Sequence, residues 1–289
     1  MRVYVQTDLE GVAGVRNFDE WTRPDKRYYD LARELLTLEL NAAIEGLFEG
    51  GATYVLVADS HGPGAVDITK LDPRVELMRW GWQAPWPHLL DEGFDYLVFV
   101  GQHAKSRTPL SNMAHTGNCG VLEESINGVA VGEFGRFVMQ ASELGVRTIF
   151  ATGEVALVQE AEALVPGIET VAVKRGLVPG RGDECTAEQY RARNPGAIHS
   201  HPRKAQHLIE EGARKAMQRA QSEAFGLIPM KPPFRGVMVW RPSENKPDRT
   251  YCIREHDKSV IAMLNQPREV KLVKSREQLD ELLVEPFEP

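Results

Sequence analysis

The 289-residue chain sets 34 Lys plus Arg against 41 Asp plus Glu, a formal net charge of -7, with a pI near 5.7; charge gives no case for nucleic acid or an anionic membrane as partner. Its length suits one large α/β domain, or one with a small appendage, and no apolar stretch reaches the roughly 18 residues of a membrane span. Cys119, Cys185 and Cys252 are odd in number and widely spaced, which fits a reducing compartment and excludes a Cys-x-x-Cys zinc knuckle.

In chain order, Val3 to Thr7 is a short β-prone run with no leader pattern before it, so the chain reads as cytoplasmic. Tyr28 to Glu49 places Leu31, Leu35, Leu38, Ala43 and Leu47 at helical spacing and stops at Gly50-Gly51. Tyr54 to Ala58 and Tyr96 to Val100 are continuous apolar runs of the kind that fill buried parallel strands. Between them, Trp80, Trp82 and Trp86 interleave with Pro85 and Pro87, a pattern of a packed or subunit-contacting loop. Gly101 to Gly120 is longer than an ordinary βα connection. Asn127-Gly128 predicts a type I′ hairpin between Glu123 to Ile126 and Val129 to Val131. A helix from Gly132-Glu133 to about Leu144, a strand over Thr148 to Thr152, a helix over Glu154 to Leu164 and a strand over Thr170 to Val173 continue the alternation. Gly176 to Asn194 reads as loop, Pro202 to Ala224 as an amphipathic helix, and Pro229, Pro232 and Pro233 as a break. The expected fold is therefore α/β, a mostly parallel sheet covered by helices over residues 1–228, with a smaller C-terminal α+β unit over 229–289 carrying strands near Gly236 to Trp240 and Val270 to Val273.

Ligands of open α/β sheets bind beyond the carboxyl ends of the strands. Here the first three runs end in Thr7-Asp8-Leu9-Glu10-Gly11, Asp59-Ser60-His61-Gly62 and Gly101-Gln102-His103. If these strands are neighbours, Asp8, Glu10, His61 and His103 converge on one edge. Carboxylate with neutral imidazole suits Zn²⁺, with Mn²⁺ or Co²⁺ as competitors. Asp8 and Glu10, two apart, would share a face of a regular strand, and a bridging carboxylate would permit two ions that activate water. Taken singly, each residue has an ordinary explanation: a strand-end Asp is commonly a turn or cap residue, and a lone His is commonly a satisfied surface or core group. Glu133 can serve simply to favour the N-terminus of its helix, and His115 can be an exposed loop histidine. Co-occurrence at three successive strand ends favours the metal reading. Gly11 to Gly14 fits neither glycine-rich phosphate motif. His88, His199, His201, His207 and His256 lack metal-binding spacing, and His199 and His201 read as surface residues.

These motifs, Asp8-Leu9-Glu10-Gly11, Asp59-Ser60-His61, Gly101-Gln102-His103-Ala104, the loop containing His115 and Gly132-Glu133, fall in the same order as in a known family. The chain resembles the zinc-dependent D-aminopeptidases of the DppA type, peptidase family M55, over about Met1 to Lys174. The resemblance implies a dinuclear zinc site with Asp8, Glu10, His61, His103 and Glu133 as ligands, Asp8 bridging, and His115 in catalysis. It also implies a homodecameric ring that admits short peptides, and removal of an N-terminal residue, a D-residue among the candidates. Two rival readings are a phosphatase using Asp8 as nucleophile, which Glu10 and the histidines fit poorly, and a metal- or peptide-binding protein without turnover.

Overall fold

The computed structural model describes residues 1–79 and 85–288; Trp80 and Trp82 lie outside the described residues. In chain order the elements are β1 (Arg2–Thr7), α1 (Phe18–Trp21), α2 (Tyr29–Glu49), β2 (Tyr54–Asp59), β3 (Glu76–Arg79), β4 (Tyr96–Gln102), β5 (Val121–Ile126), β6 (Val129–Val131), α3 (Glu133–Glu143) and β7 (Arg147–Glu154). They continue with α4 (Val155–Leu164), β8 (Glu169–Gly176), α5 (Ala187–Arg193), β9 (Ala197–His199), α6 (Pro202–Ala220), β10 (Phe234–Trp240), β11 (Thr250–His256), α7 (Val260–Leu264), β12 (Lys271–Leu272) and α8 (Arg276–Leu282).

Among the described residues the main sheet runs β3-β2-β1-β4-β7-β8-β9, parallel except for the antiparallel edge pair β8–β9. Alternation along β1 divides the core: Val3 and Val5 face α2 and α6, packing with Leu36, Leu40, Ile209 and Met217. Tyr4 faces the other side, with Phe134 and Phe137 of α3 and Leu157 of α4. Strands buried on both faces need apolar residues at every position, which is why these runs are continuous in the sequence. The chain leaves β1 toward β2 on one side and later enters β4 on the other, so the strand order reverses at β1, where a crevice forms beyond the strand ends.

A second, antiparallel sheet has the order β12-β11-β10-β5-β6. The strands beyond residue 229 thus complete a sheet begun by the β5–β6 hairpin, with β10 paired to β5. Asn127 and Gly128 have φ of 48° and 78°, as a type I′ turn requires. The segment read as loop over 176–194 contains α5, whose Thr186–Gln189 capping box supplies a start signal. The helix expected to reach Ala224 ends at Ala220. The long 101–120 loop is largely buried, with Ser106, Arg107, Ser111, Asn112, His115 and Thr116 inside the protein.

Candidate metal centre

β2, β1 and β4 are hydrogen-bonded neighbours, with Thr7 opposite both Asp59 and Val100. The expected convergence of the three strand ends therefore occurs. The convergence of Asp8 and Glu10 has a different cause from the pleat expected: β1 ends at Thr7, and both carboxylates are carried on the turn that follows. That turn lies directly on the end of β4, with Asp8 N–H donating to Val100 O at 2.9 Å and Gly11 N–H to Gly101 O at 2.7 Å. A Cβ on Gly11 would sit 2.1 Å from Gln102 O, and one on Gly101, at φ +75°, 2.3 Å from Asp8 O. Both glycines are needed for this close approach. Asp59 is no ligand candidate: its carboxylate accepts the Ala65 and Val66 N–H groups and Arg79 Nε, folding the turn that carries His61.

Three imidazoles are held in one way. His61 Nε2 lies 2.9 Å from Thr22 O, His103 Nδ1 2.9 Å from Ala104 O and His115 Nδ1 2.9 Å from Met113 O. A carbonyl can only accept, so each of these nitrogens carries a proton, and the opposite nitrogen of the neutral ring presents a lone pair. Those lone pairs point at carboxylates. His61 Nδ1 is 3.3 Å from Asp8 Oδ1 and 3.2 Å from Glu10 Oε2. His103 Nε2 is 3.1 Å from Asp8 Oδ2 and 3.5 Å from Glu133 Oε1, and His115 Nε2 is 3.6 Å from the same Glu133 oxygen. The His103 and His115 rings stack at 3.9 Å. Asp8 thus gives one oxygen to each half of the cluster.

Lone pairs facing carboxylate oxygens repel unless a cation or a proton lies between them. Among the described residues Glu10 Oε2 and His103 Nε2 are buried without a hydrogen-bond partner, an arrangement a metal ion would satisfy. Groups of ligand atoms within 4.8 Å of one another occur for Asp8, Glu10 and His103 and for His103, His115 and Glu133. The donor set of carboxylate oxygen and imidazole nitrogen fits a borderline divalent cation. Without one, protons take its place. Burial opposes charge on His61 and His103, yet Glu10 and Glu133 respectively, with Asp8 beside both rings, push each imidazole well above its ordinary value. Burial would raise Asp8, but its contacts with His103 and His61 hold its carboxyl well below the usual range. His115 moves the other way: burial, and then the charge of His103, lower it.

Other residues support this cluster without having been singled out by spacing. Gln102 Nε2 donates to Asp8 Oδ2 at 2.9 Å, so with the Leu9 N–H on Oδ1 both Asp8 oxygens are engaged, which disfavours a free nucleophile. His199, expected at the surface, is half-buried and accepts the Gly14 N–H at 3.0 Å. The cluster opens into a cavity of about 550 Å³ whose lining includes Phe18, Arg23, Trp86, Arg136 and Arg191.

An α/β sheet carrying buried, metal-competent carboxylates and imidazoles at its switch point, open to such a cavity, defines a metallohydrolase. The family model described as D-aminopeptidase, peptidase family M55, matches residues 1–245, and the chain belongs to that family. A D-aminopeptidase of Bacillus subtilis (strain 168) is 31% identical over 241 residues, covering 82% of this chain and 80% of the relative. The solved structure of the Zn-dependent D-aminopeptidase DppA from Bacillus subtilis, described as a self-compartmentalizing protease, superposes with a TM-score of 0.75 at 25% identity, over 90% of this chain and 93% of that one. The protein is a metallo-aminopeptidase. Among the described residues no helix is long and apolar enough to cross a membrane.

Proposed function

We propose that the protein is a dinuclear zinc aminopeptidase that removes the N-terminal residue, a D-residue in the preferred substrates, from short peptides. The observation that carries this reading is the division of Asp8 between two imidazoles whose far nitrogens are pinned by backbone carbonyls. In this reading Asp8, Glu10 and His61 hold one ion, and Asp8, His103 and Glu133 the other, with manganese or cobalt as chemical substitutes. When bound, the two ions would acidify a water molecule and polarise the scissile carbonyl.

The chain's own groups do the rest. The pinned tautomers keep His61 Nδ1 and His103 Nε2 directed into the cluster before substrate arrives, so no reorientation is needed. His115, kept neutral by its burial, accepts a proton at Nε2 during attack on the carbonyl and returns it to the departing amine. Phe18 meets the His115 ring edge-on at 5.3 Å and restricts its movement. Arg23 and Arg191 line the cavity, where the carboxylate end of a short peptide would meet positive charge. The self-compartmentalizing relative supports a homo-oligomer, a decamer by family resemblance, whose enclosure would limit substrates to short peptides.

The test is exhaustive chelation followed by reconstitution, with paired D- and L-aminoacyl substrates and metal analysis of the protein. Activity should vanish with the metal and return with Zn²⁺, at two equivalents per protomer and faster on the D-series. Full activity after complete chelation would refute the metal reading; preference for the L-series would refute the stereochemical one.

A further inference from the structure

β7 and β8 deliver no candidate ligand, yet each carries a buried charged residue at or near its carboxyl end. Lys174 is 3% exposed. Its Nζ donates to the backbone oxygen of Glu10, to Val15 O at 3.1 Å and to Asn112 Oδ1 at 2.8 Å, which uses all three hydrogens of an ammonium. The first two acceptors belong to the turn bearing Asp8 and Glu10, the third to the loop bearing His115. Glu154, fully buried, grips that loop from the other side. One of its oxygens accepts the Ala104 N–H at 3.1 Å and the other accepts the Asn112 N–H. Ala104 O in turn takes the His103 Nδ1 proton at 2.9 Å and the His115 N–H at 3.2 Å. A continuous buried path thus runs from Glu10 through Lys174, Asn112, Glu154 and Ala104 to His103 and His115. None of Lys174, Asn112 and Glu154 lines the cavity.

We propose that Lys174, Asn112 and Glu154 form a positioning unit that sets the Asp8–Glu10 turn against the His103 and His115 side of the cluster. The proposal rests on the dinuclear reading above. The physical reason is the cost of leaving buried acceptors unpaired: without the ammonium, Glu10 O, Val15 O and Asn112 Oδ1 would each have to turn toward another donor, and the ligand turn would shift with them. Groups that orient ligands from behind commonly govern affinity and activity nearly as strongly as the ligands do.

The experiment uses the full chain with Lys174→Met, which keeps an apolar stem of similar length, and Asn112→Ala, which keeps the Lys174 contact to Glu10 but removes the Oδ1 link to the His115 loop together with the Nδ2–H bond to Asn194 O. Zinc affinity is read by competition with a chromophoric chelator, independently of turnover, beside kcat, KM and Tm. Lys174→Met should weaken zinc binding and lower kcat by about 10- to 100-fold each, with KM nearly unchanged. Asn112→Ala should retain zinc and lose kcat by about tenfold or more. Should Lys174→Met fail to fold, Asn112→Ala decides alone. A lower Tm with zinc affinity and kcat of the folded protein within about threefold of wild type would mean a merely structural role and overturn the proposal. Wild-type protein that binds no zinc would overturn the dinuclear reading and this proposal together; normal wild type with indifferent variants overturns this proposal alone.

Discussion

Asp8 and Glu10 are two residues apart but occupy different places in the cluster, and that difference can be counted. Within ion-pair distance Glu10 meets His61, at 3.2 Å, with His103 farther off but within 4.8 Å, whereas Glu133 meets His103 and His115. Asp8 approaches both His61 and His103. Each Asp→Asn or Glu→Gln change keeps the shape and removes one full charge. At an effective dielectric constant of about 20, two unit charges about 4 Å apart interact by about 4 kcal/mol, a lower bound for a doubly charged ion and equal to roughly three decades in Kd. The assay is zinc per protomer after equilibration in a metal buffer whose free zinc is about a hundredfold above the wild-type Kd; a site weakened a thousandfold is then only about one-tenth filled. Wild type should hold two equivalents, Glu10→Gln and Glu133→Gln one each, and Asp8→Asn almost none. If Asp8→Asn keeps one equivalent, Asp8 serves only one half of the cluster and the argument from its divided oxygens fails. Loss of both equivalents in Glu10→Gln would show that the halves are not separable.

Three further outcomes test other parts of the reasoning. His115→Ala should keep the full zinc complement and lose about 10²- to 10⁴-fold in kcat, as expected for a proton-transferring group; loss of metal in that variant would make His115 a ligand instead. Glu39 is 1% exposed, accepts the Ala13 N–H with one oxygen and, among the described residues, has no partner for the other; burial pushes it from 4.5 up to about 8. Because the folded state holds this proton longer than the unfolded state, its contribution is fully present below about pH 4.5 and is lost as pH rises toward 8. Glu39→Gln should therefore leave stability nearly unchanged at acid pH and raise it by a few kcal/mol, on the order of the shift, at pH 8; paired urea titrations giving equal differences at the two pH values would refute the assignment. Arg107 donates to both Asp183 oxygens at 2.8 Å and pairs with Glu123, all three inside the protein. Arg107→Met strands two buried carboxylates and should cost about 3–5 kcal/mol in denaturant-measured stability; a loss under about 1 kcal/mol would mean that water reaches the pair.

The parts of the fold legible in the sequence are those whose residues obey one strong constraint. β1, β2 and β4 are buried on both faces and apolar through their middles, so their ends, and with them Asp8, Glu10, His61 and His103, could be located to within a residue or two. The Asn127-Gly128 turn needs two positive φ angles and is written in the two residues that tolerate them. In the second sheet β5, β6, β10 and β12 fall where expected, and β11 escaped for the opposite reason. β11 reads Thr-Tyr-Cys-Ile-Arg-Glu-His, and its charges are taken up by tertiary partners such as Glu124, which receives Arg254 Nη2 at 3.0 Å. Nothing local announces that pairing, and the same holds for β3 and β9, short strands at the sheet edges.

Lys174 and Glu154 mark the boundary between what a strand-end rule finds and what it discards. The apolar runs that predict β7 and β8 stop at Thr152 and Val173. Each strand in fact continues, and the charged residue just past the run is buried rather than solvated. The rule that picks out His61 and His103 would have picked these two as well, but a Lys and a Glu on different strands offer no recognisable ligand set, and their partners are mostly backbone atoms of loops whose course a sequence does not display. A buried charge survives only when its hydrogen bonds are supplied from elsewhere. The ordering of the 101–120 loop and the burial of Lys174 and Glu154 are therefore one event: the loop supplies Asn112 Oδ1 as an acceptor and the Ala104 and Asn112 N–H groups as donors, and the charges fix the path by which that loop brings His115 to the carboxylate–imidazole cluster.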